Sequence, residues 1–472
     1  MYWAFNHLGE IRNYYRDKDT YMKKIDQQEA FRIVGEASAV SQAERLKLQK
    51  ERLHELVDYV RINSPYFNKL YKDLPENYSL TDLPVTKKES LLKNYDEWVT
   101  DRELNKQRVM DYLDRDPSDT SLLFGKYTAL KTSGSTGYPL PMVRDSFHNL
   151  IHGALMGLRL MKGVDFRIFD PATSKKAAIL HTSPNASSYS GFLREVKSHP
   201  QYSQNYFAIS VLESVDRAVN KLNDFQPDIL TGYASSLLML ALEKEKGNLK
   251  IKPKLIGNSA ELLTDEAYEK ISKAFDCPVI NNYCMTEGGE IAMANGGPEL
   301  FINEDWVIVE PVDKEMNPIE NPDEYSEGVL ITDLSNYVQP IIRYYVNDRV
   351  KVIPSKDKNS LPVLKIDGRV ADTFTLCGRQ FSMVTIITKA EVWPGLLKYQ
   401  ILQTAPDTME VRGVCSPEFD CKEVLSSLSS KLEEYFRDNG CGDAKFTFSL
   451  EPLLYNDMGG KIPLYKNVST IS

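Results

Sequence analysis

Between Lys131 and Pro141 the chain reads Lys-Thr-Ser-Gly-Ser-Thr-Gly-Tyr-Pro-Leu-Pro. Its centre, Thr132, Ser133, Gly134, Ser135, Thr136 and Gly137, packs four hydroxyls and two glycines into six positions. Glycine lets backbone N–H groups approach an anion closely, and the hydroxyls add donors that rotate to meet it. That combination suits a polyphosphate. The same composition also makes ordinary surface turns. No Gly-Lys-Ser/Thr follows, so the string is not a Walker loop, and the Gly-x-Ser-x-Gly of a hydrolase elbow is absent.

A second string is Asn282-Tyr283-Cys284-Met285-Thr286-Glu287. Seen alone, the string reads as a strand-end turn with a solvated carboxylate. Lys461, after Gly459 and Gly460, reads by itself as a solvated turn. His148 and His152 stand four residues apart on a predicted helix, so both rings share one face. A zinc site needs at least one further ligand, and none is evident in the sequence. His54-Glu55 lacks the second histidine of a zincin motif. The six cysteines show no C-x-x-C spacing and are expected to be small buried hydrophobes.

Such groups need a frame. A chain of 472 residues exceeds the usual size of one domain, so at least two are expected. The net charge of −9 removes any general attraction to nucleic acid or anionic lipid. No signal-peptide core and no run of about 18 apolar residues is present, so a cytoplasmic protein with no membrane span is expected. Residues 1–100 read as helical, with Leu46, Leu53, Leu56, Val57 and Val60 at helical spacing before Pro65 ends the run. Thr86 and Glu89 fit a capping box. From about 127 to 335, apolar runs at Ala177–His181, Asp228–Gly232, Leu255–Gly257 and Pro278–Asn281 alternate with predicted helices at Leu212–Phe225 and Thr264–Phe275. Alternation of that kind implies an α/β fold with a largely parallel sheet and a ligand site at the carboxyl ends of its strands. His181, at the end of one such strand, and the polar loop after it fall in that zone. Residues 300–367 are rich in β-branched and aromatic residues and predict a small β subdomain. Beyond them, about 100 residues of α+β pattern predict a small separate domain.

The ordered motifs resemble those of the adenylate-forming superfamily, the acyl-CoA synthetases, luciferases and adenylation domains of peptide synthetases. Leu140 in place of the usual lysine points to the phenylacetate–CoA ligase and capsule-biosynthesis-related branch. The resemblance implies that Thr132–Gly137 clamps phosphate, that Tyr283 stacks on adenine, that Thr286 contacts phosphate and that Glu287 holds Mg²⁺. Pro340-Ile-Ile-Arg343-Tyr344-Tyr-Val-Asn347-Asp348 resembles the Arg-Tyr-x-x-Gly-Asp motif, so Asp348 would accept from the ribose hydroxyls. Cys284 and Asn347 replace family glycines, and Asn tolerates the positive φ such a turn would need. Gly368-Arg369-Val-Ala-Asp372 resembles the interdomain hinge, with Arg369 near the nucleotide and Asp372 as pivot. Lys461 matches the family's catalytic lysine on a mobile loop. Ser259-Ala260-Glu261 resembles a loop lining the adenine site, and Tyr233, like His181, falls where an acyl pocket would be.

The implied architecture is a large α/β adenylation domain over 1–367 with parallel-rich sheets and a small β subdomain, a hinge at 368–372, and a small mobile α+β lid over 373–472. The implied activity is a two-step ligase: ATP and Mg²⁺ activate a carboxylic acid as its acyl adenylate, and CoA then takes the acyl group. An amine or a separate carrier protein is the alternative acceptor, and the two replaced glycines leave a non-catalytic nucleotide-binding relative as a further alternative. Expected partners are small molecules, with no nucleic acid and no membrane; a homodimer is compatible with this reading.

Overall fold

In a computed structural model, the structure describes residues 25–115, 119, 121–132, 140–180, 182, 187–210, 213, 215–258, 261–369, 373–382, 395–415, 417–438, 441–454 and 465–468. Ser133, Gly134, Ser135, Thr136, Gly137, His181, Ser259, Ala260, Asp372 and Lys461 lie outside the described residues.

Two helices open the chain. Asp26 caps α1 (Gln27–Ala39) by accepting from the Glu29 N–H. Ser41 and Glu44 form a reciprocal capping box at the start of α2 (Gln42–Asn63). Leu53, Leu56, Val57 and Val60 are buried along α2, as their spacing requires, whereas Leu46 is exposed. Pro65 does more than end α2. It stands in the first turn of the next helix, Pro65–Leu70, where its missing N–H costs nothing, and the Ser64 hydroxyl caps that helix. The capping box expected at Thr86 does not form. The Thr86 hydroxyl instead donates to the Ile342 carbonyl at 2.8 Å, because an isolated β-bridge to Tyr344 holds its backbone. The helix there, Lys88–Lys93, starts two residues later.

A short hairpin, β1 (Thr128–Lys131) and β2 (Pro141–Arg144), leads into α3 (Ser146–Leu155). The main sheet begins with β3 (Lys176–Leu180), then α4 (Ser187–Ser198) and β4 (Tyr206–Ser210). It continues as α5 (Val215–Phe225), β5 (Ile229–Gly232), α6 (Ala234–Glu245), β6 (Leu255–Asn258), α7 (Asp265–Phe275) and β7 (Val279–Met285). Thr264 caps α7 with two acidic residues in its first turn, as its sequence predicts. The strands β4, β3, β5, β6 and β7 are parallel neighbours. The sheet is not parallel throughout. At β7 the chain turns back into β8 (Gly289–Asn295) and β9 (Leu300–Ile302), which extend it antiparallel.

Strands β10 (Val307–Val312), β11 (Gly328–Asp333) and β12 (Tyr344–Val346) make a separate antiparallel sheet. Strands β13 (Asp348–Ile353) and β14 (Val363–Arg369) return to complete the nine-stranded one. After the hairpin β15 (Thr373–Leu376) and β16 (Arg379–Ser382), a four-stranded sheet is formed by β17 (Leu396–Ala405), β18 (Thr408–Cys415), β19 (Lys445–Ser449) and β20 (Tyr465–Asn467). Between β18 and β19 runs α8 (Cys421–Asp438), which buries Leu425, Leu428, Leu432 and Phe436 in a core with Phe374, Met409 and Val411. The cysteines depart from expectation. Only Cys441 is buried, Cys284 is exposed, and Cys415 is disulfide-bonded to Cys421 six residues on. No helix among the described residues is long and apolar enough to cross a membrane.

Helix α2 is fastened to the sheets by buried ions in the turn before β10. Arg45 meets Glu304 at 2.7 Å. The Arg52 guanidinium lies 3.5 Å above the Trp306 ring and donates to the Asp305 carbonyl. Arg159 meets the Asp305 carboxylate at 2.8 Å, and Arg52 is 3.7 Å from it. Burial alone would raise the Asp305 pKa, but Arg159 and Arg52 hold it below the ordinary value. Removing one member leaves the others charged and uncompensated. Asp305→Ala should therefore cost about 3–5 kcal/mol in chemical denaturation. Arg167→Ala, at an exposed surface pair, should stay within about 0.5 kcal/mol of the parent.

Candidate active site

The carboxyl ends of β5, β6 and β7 fall side by side, and three groups of expected site residues follow directly from them. Tyr233 follows β5 and stands at the start of α6, packed in an apolar cluster with Ala178, Leu180 and Phe192. Glu261 follows β6. The Asn258 side chain secures that turn by donating at 2.8 Å both to the Glu261 carbonyl and to the Asn281 side chain on β7. Thr286 and Glu287 form the turn from β7 into β8.

Two motif strings far apart in sequence meet at this edge through a reciprocal pair of hydrogen bonds. The Tyr283 hydroxyl donates to Asp348 Oδ2 at 2.6 Å. The Tyr344 hydroxyl donates to Glu287 Oε1 at 3.2 Å. Each string thus offers its aromatic residue to the other's carboxylate. Asp348 is buried at the start of β13, and the backbone of Arg369 pairs with it across β14. Glu287 is half-buried. Burial raises its pKa, while the Tyr344 hydroxyl and the positive charges of Lys88 and Arg144 oppose the rise.

The hydroxyl-rich segment lies in sequence between β1 and β2, and the described residues at its two ends are tied twice: the Thr132 N–H donates to the Leu140 carbonyl at 3.0 Å, and the Leu140 N–H to Thr132 Oγ1 at 2.9 Å. Four residues on, at the end of β2, Arg144 Nη2 donates to the Thr286 carbonyl at 2.8 Å and lies 3.4 Å from that of Met285. The base of the expected phosphate loop is therefore linked to the turn that carries Glu287. Burial first, and then the charge of Glu261, raise the Tyr399 pKa.

Neither replaced glycine was needed for its backbone. Among the described residues, Asn347 and Cys284 have ordinary negative φ, and the left-handed position of the second motif belongs to Arg343, at φ 44°. That strain is held by burial. The Arg343 guanidinium pairs with Glu310 at 3.1 Å and donates to the Leu83 carbonyl at 2.6 Å. Sequence reasoning missed Arg144, Lys88 and the hydroxyl of Tyr344, none of which carries a local signal.

It also missed the third partner of the histidine pair. His148 and His152 face Asp333, and all three are buried. The arrangement does not suit a metal ion. Ser335 Oγ sits at their focus, 2.8 Å from His148 Nδ1, 3.0 Å from His152 Nε2 and 2.6 Å from Asp333 Oδ1. The two ring centroids lie 4.1 Å apart, with the planes tilted by 34°. A metal about 2 Å from each nitrogen would need the place that Ser335 Oγ already fills.

No protein-family model matches the chain. Protein CapK of Staphylococcus aureus is 25% identical over 434 residues, which span 88% of this chain and 87% of CapK. Phenylacetate-coenzyme A ligase of Pseudomonas putida is 27% identical over 200 residues, 40% of this chain and 42% of the ligase. Among solved structures, 2-hydroxyisobutyryl-CoA ligase in its postadenylation state with R3-HIB-AMP superposes with a TM-score of 0.62. The match covers 92% of this chain and 91% of that one, at 14% identity. The same ligase with 2-HIB-AMP and CoA in the thioesterification state gives a TM-score of 0.50 at 17% identity, over 91% of each chain. The chain has the fold of the adenylate-forming ligases, and its sequence relatives are a phenylacetate–CoA ligase and a capsule-associated protein.

Proposed function

We propose that this chain is an AMP-forming ligase that couples a small carboxylic acid to CoA at the expense of ATP. The observation that carries the reading is the double clasp between Tyr283 and Asp348 and between Tyr344 and Glu287, beside the base of the hydroxyl-rich loop. In the first step a carboxylate oxygen attacks the α-phosphorus of ATP and the bond to pyrophosphate breaks. In the second the CoA thiol, giving up its proton, attacks the acyl carbon and AMP leaves. The protein's part is to orient and to neutralise. Asp348 would accept from the ribose hydroxyls, with Tyr283 against the base. Residues 132–137 would hold the leaving pyrophosphate, Thr286 the α-phosphate, and Lys461 the carboxylate and phosphate together. Tyr233 and His181 would border the acyl group. Arg369 would lie near the nucleotide, and the segment through Asp372 would let the small domain, 373–472, change position between the steps.

The Glu287 carboxylate fits a magnesium ion. It is half-buried and raised in pKa by burial, so a bound cation relieves an existing cost of keeping it charged. When bound, Mg²⁺ supplies charge neutralisation on the phosphate oxygens. CoA is the acceptor favoured by what the neighbouring ligase binds and by the name of the Pseudomonas relative. An amide or a loaded carrier protein as product would identify the other acceptors, and absence of carboxylate-dependent ATP–pyrophosphate exchange would mark a nucleotide binder without chemistry.

Three outcomes are expected. Glu287→Gln should lower carboxylate-dependent ATP–pyrophosphate exchange by about 10²–10³-fold, the usual cost of one electrostatic stabiliser. Because the Glu287 pKa is higher folded than unfolded, its charge opposes folding, and that cost is absent at low pH and grows as pH rises through the folded value. Thermal melts between pH 4 and 8 should therefore show Glu287→Gln gaining stability over the unliganded parent towards neutral pH. Asp348→Ala should weaken AMP binding by about 1.5–3 kcal/mol in calorimetry, roughly 10–150-fold. Tyr283→Phe, which removes only the hydroxyl clasp, should weaken it less.

A further inference from the structure

We infer that His152, braced by Ser335 and Asp333, is a positioning residue that sets the Thr286–Glu287 turn for Mg·ATP. The inference rests on the ligase reading and adds to it the support of its metal- and phosphate-holding turn.

That turn is gripped on two sides. Arg144 holds the carbonyls of Met285 and Thr286. On the other side the chain passes directly across the His152 imidazole. Gly289 has φ 63°, and a Cβ there would lie 2.3 Å from His152 Cε1, so only glycine lets the backbone lie flush on the ring. The next residue, Glu290, puts its carboxylate Oε2 2.6 Å and its backbone nitrogen 3.0 Å from His152 Nδ1. A shift of the ring therefore moves residues 289 and 290, and with them Glu287 two residues before.

The ring has little freedom to shift. Ser335 gives its single proton to Asp333 Oδ1, so it can only accept from His152 Nε2 and His148 Nδ1. Asp333 Oδ2 lies 3.2 Å from His148 Nδ1, and the His148 ring packs against that of His152, 4.1 Å away and tilted by 34°. Burial opposes charge on both rings. Glu290 and Asp333 nonetheless hold His152 protonated, with its pKa raised to about 9, while burial and the neighbouring His152 push His148 down to about 4. One imidazolium thus joins α3, the end of β11 and the start of β8.

The expected signature is a split between two ligands. Outer partners of a metal-holding group typically cost about 10–100-fold when removed. His152→Leu, which keeps bulk and removes both nitrogens, should weaken Mg·ATP binding in calorimetry by about that factor while AMP affinity stays within about twofold. His152→Asn keeps a side-chain N–H donor for the Glu290 carboxylate and should recover part of the loss. Ser335→Ala, a milder change, should shift Mg·ATP in the same direction should His152→Leu fail to fold. Unchanged Mg·ATP affinity in folded Ser335→Ala and His152 variants would overturn the inference. So would equal loss of AMP and Mg·ATP, which marks a merely structural role. If the wild-type chain binds Mg·ATP but exchanges pyrophosphate with no acid, the ligase reading fails instead, and the binding split still decides the role of His152.

Discussion

A carboxylate buried as fully as Asp333 must be answered by donors, because no water reaches it and an unpaired buried charge costs several kcal/mol. In this chain the answer comes from three residues. The hydroxyl and N–H of Ser335 both turn back onto Asp333, and His148 and His152 approach from α3. Satisfying that one charge sets where α3 lies against the end of β11, and where β8 can start. The turn from β7, with Glu287 in it, follows. The proposed site at the sheet edge thus has a buried polar hub behind it.

The same logic governs the front of the site. Tyr283 and Asp348 are 65 residues apart in sequence, and Glu287 and Tyr344 are 57 apart. Both pairs close because β7 lies in the main sheet while β12 and β13 straddle Asn347 and bring Tyr344 and Asp348 to the same edge. Hydrogen bonds to carboxylates are the stronger kind, and two in parallel fix the relative position of the motifs more firmly than either alone. Arg343, strained at positive φ and locked by Glu310, sets the approach of Tyr344.

The two departures from the family pattern lose force in this light. A glycine can be replaced without cost where its φ is negative, and both Cys284 and Asn347 are such positions. Where the backbone does require glycine, at Gly289, the chain keeps it, for both its left-handed φ and the closeness of the His152 ring.

Much was legible from sequence because it depends on neighbours along the chain. Alternating apolar runs and capped helices marked β3, β5, β6, β7, α5 and α7, since strand and helix periods are local properties. The strings around Tyr283, Thr286 and Glu287, and around Arg343 and Asp348, could be recognised because their residues are contiguous. Local rules also failed: Thr86 gave its hydroxyl to the distant Ile342, and Cys415 and Cys421, six residues apart, bonded to each other. What no sequence window contains is a partner on another element. That Arg144 would grip Thr286, that Tyr344 would serve Glu287, and that a histidine pair would share Ser335 rather than a metal were decided by the tertiary structure. The physical reason is that a buried polar group takes whichever partner the packing brings within hydrogen-bond reach, and packing is a property of the whole chain.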